Sequence, residues 1–521
     1  MLIYLNFKSK ISVFLVMIYY PHQLPYDIWT TKQIEVLKSE IVKKMHISLL
    51  ELMHRAAKVS FDCIINLWPD SRHWLILCGN GSNGQKGYII AKLARNAGIT
   101  VTVMGCYGNF FHKCFNQYQK YQDAQLNWLE RGENIYSSNT PFPDKVDIII
   151  DALLGIEMNN IPIFPYNILI SRANQHTAPI FSIDIPSGLL ADTGDTPGEV
   201  INAAHTITFI GIKPGLITGQ ARKYVGKLHY HSLDTNVVLN KHHSSISRWD
   251  STCLTEKLLP LKIATSHKGQ HGKLLLIGGD LGTAGAIILT GKAALRSGTG
   301  LVKIITHKFN IIPVLSNCPE LMVQEYSRNT LENYIKWANT IIIGPGIGQK
   351  NWVKKIMLRI NKSHKTSLWD ADALTFLANH PNIRMNRIIT PHSGEAAKLL
   401  KMHISEVEKD RLQAAQLLAK YYGGVVVLKG AGTVIASHSG EVAIADVGNV
   451  GLATGGMGDI LSGIIGSFLG QQFSIYKAAI LGCIVHGAAA DILSSSGTTG
   501  MVASDLLPII FKLVNCNTTS S

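Results

Sequence analysis

The chain has 521 residues and a formal charge of +14, and it is 46% hydrophobic and 16% charged, which excludes a disordered polymer. Eight cysteines with no C-x-x-C pair exclude a disulfide scaffold and the common zinc modules, and point to reduced thiols in the cytoplasm. The charge is +4 over residues 1–250 and +10 beyond, but no Lys/Arg run gathers it, so nucleic acid is not an expected partner.

At about 150 residues per domain the length suggests two to four domains. Residues 1–20 read as an extension: Lys8 and Lys10 precede an apolar run from Ile11, as in a signal peptide, but no A-x-A-like site follows. The run is too short for a bilayer, and Met17 is a candidate start. No stable membrane span is expected, because Gly, Pro or charge breaks the long apolar stretches.

Short apolar runs then alternate with helix-length segments. Strands are predicted at Trp74–Cys78, Ile99–Met104, Val146–Asp151, Ile180–Ile185 and His205–Phe209, with a glycine loop and a helix from about Tyr88 to Asn96 after the first. A polar stretch at 239–248 reads as a linker between a first domain at 21–238 and a second at 249–515. In the second, strands are predicted at Lys273–Ile277, Val302–Thr306, Thr340–Ile343, Thr366–Trp369, Arg387–Thr390 and Val425–Lys429. A helix is predicted near Gly285–Ser297, and the C-terminus is helical. Apolar strands alternating with helices imply two α/β layers with parallel sheets.

Gly79, Gly81 and Gly84 satisfy G-x-G-x-x-G between a strand and a helix, a context that aims N–H groups at phosphate. The next strand ends without the acid that a dinucleotide dehydrogenase needs for the ribose. Asp151 and Asp184 each close a strand, where ligands sit in parallel sheets; a helix cap is the plainer role for such an acid. The tight turn Pro186-Ser187-Gly188 argues against a cap for Asp184.

The second half carries three glycine clusters, Gly344–Gly348, Lys429–Thr433 and Gly455–Asp459. The last precedes an apolar helix, so its N–H groups and dipole face a transferring phosphoryl group, with Asp459 in place as general base. The stretch Gly285–Ala293 misses the Walker A spacing and is read as a core helix. Asp370, Asp372 and His392 follow strands into the same cleft; the aspartates are read as orienting substrate or acting through magnesium, and His392 as a substrate contact.

In the first half, Asp151-Ala-Leu-Leu-Gly155, Asp184-Ile-Pro-Ser-Gly-Leu189, Phe209-Ile-Gly-Ile-Lys213-Pro-Gly-Leu216 and the glycine loop resemble the NAD(P)H-hydrate epimerase family. The resemblance implies Asp184 as the essential acid, Asn83, Asp151 and Ser187 around a potassium ion, and hydrate contacts from Ser82, Asn83, Gly84, Gln85, Lys86, Gly155, Ile156, Glu157, Tyr166 and Asp184. The family pattern N-N-G-G-D-G is here Ser82-Asn-Gly-Gln-Lys-Gly87, and G-T-G-L is Gly155-Ile-Glu-Met158. Gln85 adds a Cβ that is costly wherever φ must be positive.

The second half resembles the ADP-dependent NAD(P)H-hydrate dehydratase family through His267–Gly272, Gly278-Gly-Asp280, Ala284-Gly-Ala286, Ala293–Val302 and the three clusters. That implies contacts to ADP or AMP from Lys429, Gly430, Ala431, Gly432, Thr433 and Gly458. It also implies contacts to the hydrate from Ala286, Gly348, His392 and Asp459, and magnesium on the phosphates. Together the halves imply a Rossmann-like doubly wound sheet followed by a ribokinase-like α/β domain. The activity implied is repair of NADH hydrate and NADPH hydrate at the expense of ADP, in the cytoplasm, by a homo-oligomer. The rival expectation is a ribokinase-like kinase of a small alcohol, with a non-catalytic binding module in front.

Overall fold

The computed structural model describes residues 24–106, 135–255 and 265–515, so the expected extension at 1–20 lies outside the described residues. The strands in chain order are β1 (Asp27–Ile28), β2 (His73–Cys78), β3 (Thr100–Gly105), β4 (Ile135–Tyr136), β5 (Ile148–Ala152), β6 (Ile180–Ile183), β7 (His205–Phe209) and β8 (Lys227–His231). Then come β9 (Ile246–Trp249), β10 (Lys273–Ile277), β11 (Leu301–Thr306), β12 (Met322–Glu325), β13 (Thr340–Ile343), β14 (Thr366–Trp369), β15 (Arg387–Ile389), β16 (Val425–Leu428), β17 (Thr433–Ser437) and β18 (Val442–Ala445).

The first sheet runs β4-β3-β2-β5-β6-β7-β8, with every described pair parallel. Its strands are apolar on both faces because helices cover both. Trp74 and Ile76 face the helices Thr31–Met45, Leu49–Leu67 and Ser82–Asn96, while Leu75 and Leu77 face the helix Tyr166–Gln175. The strand order reverses between β2 and β5, so the glycine turn after β2 and Asp151 on β5 meet where a doubly wound sheet opens a crevice.

The second sheet runs β1-β9-β18-β17-β16-β15-β14-β13-β10-β11-β12. Its parallel part reverses order between β10 and β13, which places Gly278–Asp280 beside Gly344–Gly348: Gly279 N–H donates to Pro345 O at 2.9 Å and Asp280 N–H to Gly346 O at 2.6 Å. One face packs on the C-terminal helices Met457–Gly470, Ile475–Leu493 and Leu506–Leu513. The helix at 475–496 contains an 18-residue window with a mean hydropathy of 1.5 and is long and apolar enough, by length and composition, to cross a membrane. This corrects the reading that every such stretch is broken; 72% of that window is buried, as in a core helix.

The stretch expected as a linker, 239–248, ends inside β9, which pairs parallel with β18 of the second sheet. β1, from the start of the first half, pairs antiparallel with β9. The two halves therefore share a sheet edge as well as one continuous apolar cluster.

Candidate active sites in the two halves

In the first half the glycine segment is not a loop up to Tyr88. The helix starts at Ser82, so Ser82–Gly87 form its first turns, and no side chain caps it. Gly84 is required by close approach: a Cβ there would stand 1.8 Å from Gly79 O. Gln85 has ordinary helical φ, so its Cβ brings no backbone strain.

Asp184 follows β6 with φ 70, a left-handed conformation that an L-residue adopts at a cost and that concentrates at functional sites. Its carboxylate is buried between two ammonium groups. Lys213 Nζ donates to Oδ1 at 2.5 Å and Lys86 Nζ to Oδ2 at 3.5 Å, while Thr208 Oγ1 donates to Oδ1 at 3.1 Å. Burial alone would raise the Asp184 carboxyl, but Lys213 and Lys86 outweigh it and hold the group well below the usual carboxylate range. Burial pulls Lys86 down to about 8, against the pull of Asp184. Ser82, Lys86, Glu157, Asp184 and Lys213 line a cavity of about 100 Å³ beneath Thr31–Met45 and Leu49–Leu67. Tyr166 meets the turn through Asn80 Nδ2, at 3.3 Å from its hydroxyl, Gly155 backs onto the Asn83 side chain, and Ile156 is buried beside them.

Asn83, Asp151 and Ser187 are brought together, and their polar atoms are committed. Asp151 accepts from Ser182 Oγ, Ser187 N–H and Ser187 Oγ at 2.8, 2.9 and 2.6 Å. Burial nonetheless raises its carboxyl above the ordinary value. Asn83 Nδ2 donates to Leu154 O at 2.8 Å and Ile183 O at 2.7 Å, and its Oδ1 accepts from Lys86 Nζ at 3.0 Å.

In the second half, Gly456 caps the helix Met457–Gly470 with φ 87 and no side-chain bond; Met457 N–H donates to Thr454 O at 3.4 Å, which leaves the Gly458 and Asp459 N–H groups for an anion. Asp459 sits in the first turn. Burial, and then the neighbouring Asp370, push its carboxyl up to about 7 despite Lys429. A general base is most effective near that value. Asp370 ends the turn after β14 beside Ala371, which takes φ 50. It accepts from Lys429 Nζ at 2.9 Å and Ser462 Oγ at 2.7 Å, so it holds Lys429 in place. Asp370 stays ionised below the usual range, because Lys429 and these bonds outweigh burial.

Lys429, Gly430, Ala431, Thr433 and Gly458 line a cleft of about 440 Å³. Gly432 does not: its carbonyl accepts from Thr218 Oγ1 of the first half at 2.9 Å. Gly348 N–H donates to Asp372 Oδ2 at 2.9 Å, and Thr283 Oγ1 donates to Gly346 O at 2.6 Å. Gly348 and Ala286, in the first turn of the helix Ala284–Arg296, thus sit together at the switch point. His392 is a helix cap: its Nδ1 accepts from Gly394 N–H at 3.0 Å and Glu395 N–H at 3.3 Å, while 60% of the side chain stays exposed.

Two residues of these sites, Lys213 and His486, escape a reading of single motifs. Lys213 lies within a recognised segment, but only folding brings it to Asp184. Glu395 stands 3.8 Å from Lys429 Nζ. His486, buried with Nε2 unpartnered and drawn down to about 4 by burial, lines the 440 Å³ cleft from an apolar helix that offers no local signal.

Comparisons agree with both halves. Residues 274–512 match a family described as NAD(P)H-hydrate dehydratase, and residues 49–215 match the YjeF-related protein N-terminus. The bifunctional NAD(P)H-hydrate repair enzyme Nnr of Escherichia coli is 48% identical over 496 residues, covering 95% of each chain. The Vibrio cholerae enzyme of that name is 42% identical over 94% of this chain and 99% of its own, and the Leishmania braziliensis enzyme 37% over 95% and 94%. Among solved structures, a ribokinase-like superfamily protein of Enterococcus faecalis is 29% identical with a TM-score of 0.49, covering 53% of this chain and 97% of its own. The ADP/ATP-dependent NAD(P)H-hydrate dehydratase of Bacillus subtilis, co-crystallised with ATP/Mg2+, is 28% identical with a TM-score of 0.46, covering 51% and 96%. The chain belongs to the family of bifunctional NAD(P)H-hydrate repair enzymes, with an N-terminal epimerase domain and a C-terminal dehydratase domain.

Proposed function

We propose that the second half dehydrates the hydrated dihydronicotinamide of NADH or NADPH with ADP as phosphoryl donor. The observation that carries this reading is Asp459, a carboxyl near neutrality at an uncapped helix N-terminus beside Lys429 and Gly458. Asp459 takes the proton of the C6 hydroxyl, whose oxygen then attacks the β-phosphorus of ADP. The bond from that phosphorus to the bridging oxygen breaks, and AMP leaves. The Gly456 and Gly458 amides and Lys429 hold the moving phosphoryl group. The C6–O bond then breaks with loss of phosphate, a proton leaves the neighbouring ring carbon, and the ring double bond returns. The cytoplasm, where ADP and the nicotinamide cofactors occur together, is the compartment for this chemistry.

Among the described residues no three His, Cys, Asp or Glu side chains cluster as a metal cage. Magnesium would be carried on the nucleotide phosphates and met by one or two carboxylates. The carboxylates beside Lys429 that would meet it are Glu395, one oxygen of which accepts from His392 N–H at 2.8 Å, and Asp370, which accepts from Lys429 and Ser462. When bound, magnesium neutralises charge on the phosphates.

The first half supplies the epimer that the second consumes, with Asp184 at the reacting carbon. The donor set does not fit a potassium ion at Asn83, Asp151 and Ser187. The Lys86 ammonium claims Asn83 Oδ1, which turns the Asn83 NH2 towards the two carbonyls a cation would need. In the family's loop an acid stands at this position, and an acid favours the opposite amide orientation.

The test is a mixture of both C6 epimers of NADPH hydrate with ADP and magnesium, followed by dihydronicotinamide absorbance. Recovery past half, with AMP and phosphate in equal amounts, is expected. A stable phosphorylated product would instead favour the kinase reading.

A further inference from the structure

The nucleotide cleft of the second half is not made by the second half alone. Arg222, from the helix Ala221–Tyr224 of the first half, lines it together with Lys429, Gly458, Asn449 and His486. Its Nη1 donates to Gly448 O at 2.8 Å, and its Nη2 meets Asp446 Oδ1 at 3.2 Å. These bonds fix the guanidinium against the cleft wall, and 38% of the side chain remains open. Asp446 is shared: its other oxygen is 2.6 Å from Arg248 Nε, and Arg248 also pairs with Asp250 at 2.8 Å. Among the described residues, the lining of the cleft carries two cations, Lys429 and Arg222, and no carboxylate. A wall of that composition suits a polyanion that carries a flat ring, since a fixed guanidinium offers N–H donors to phosphate or ribose oxygens and a planar face to a base.

We propose that Arg222 is a nucleotide-binding residue of the dehydratase, donated by the epimerase domain, so that the ADP site is complete only with both halves docked. The interface is built to hold it there. Thr218 ties to Gly432 four residues before Arg222, and β1 and β9 join the halves at a sheet edge. The proposal rests on the reading of this cleft as the ADP site.

The test is steady-state dehydration by the full chain, with ADP varied at saturating hydrate, for wild type, R222A and R222K. R222A is expected to raise KM for ADP about fivefold or more, with kcat and KM for the hydrate unchanged; R222K, which keeps the charge but not the fork, falls between. An unchanged KM for ADP in R222A overturns the proposal. So does a fall in kcat and melting temperature in step with KM, because that marks Arg222 as interface structure only. Calorimetric titration of wild type with ADP separates the two levels: no ADP binding at all removes the reading of the cleft, whereas equal binding by wild type and R222A removes only Arg222.

Discussion

Each half carries an aspartate with a shifted carboxyl, Asp184 buried just after β6 and Asp459 half-buried in the first turn of the helix Met457–Gly470, and the two are tuned in opposite directions. Asp184 lies between Lys213 and Lys86, which keep it an anion far below the ordinary range. Asp459 has Lys429 nearby, but Asp370 already occupies that ammonium at 2.9 Å, and the Asp459 carboxyl rises to about 7. Ammonium groups in direct contact with a carboxylate fix its charge; an ammonium already paired to a second carboxylate leaves the first free to exchange a proton near pH 7. In both halves an L-residue with positive φ, Asp184 or Ala371, marks the strand end that carries the arrangement. Strain at such positions persists where the surroundings over-determine it.

The largest effect separates the two acids. D459N should lower dehydration by roughly 10²–10⁴-fold and leave epimerisation intact, while D184N should do the reverse; measuring both reactions in each variant checks this. If one substitution abolished both, the halves would not be independent catalysts.

Next in size is the stability of D459N. Between about pH 4 and pH 7 the folded protein keeps a proton on Asp459 that the unfolded chain has lost, so this group makes stability fall as pH rises through that window. Asn cannot ionise. The variant should therefore melt above wild type at pH 8, with the gap closing towards pH 4. A gap independent of pH would contradict the raised carboxyl.

A smaller effect sharpens the first half. Wild type should show the same melting temperature in potassium and in choline chloride. K86D frees the Asn83 amide to turn its oxygen to the Leu154 and Ile183 carbonyls, and should gain a potassium-dependent rise. Such a rise in wild type would mean that Lys86 does not displace the cation.

Much of the fold was legible because parallel strands covered on both faces are plain apolar runs. Lys273–Ile277, Thr340–Ile343 and Thr366–Trp369 form strands over the predicted residues. The shared sheet edge was not legible: β1 has two residues and β9 four, too short to show a period, and β9 sits in a polar stretch. The helix start at Ser82 was hidden because Gly84 and Gly87 lower helix propensity, while close packing on Gly79 and Cys78 demands glycine there. Motifs located Asp184, Asp459 and Lys429. They held Lys213 and Glu395 without giving either a partner, and they were silent on Arg222 and His486, whose roles depend on what folding sets beside them.

The most direct measurement is the pH dependence of kcat for ADP-driven dehydration by the full chain. The account predicts a rise with unit slope and an apparent pKa near 7, levelling above it, as Asp459 ionises. A rate that stays flat from pH 5.5 to pH 8.5, in an enzyme whose chemical step is rate-limiting, would contradict Asp459 as the base.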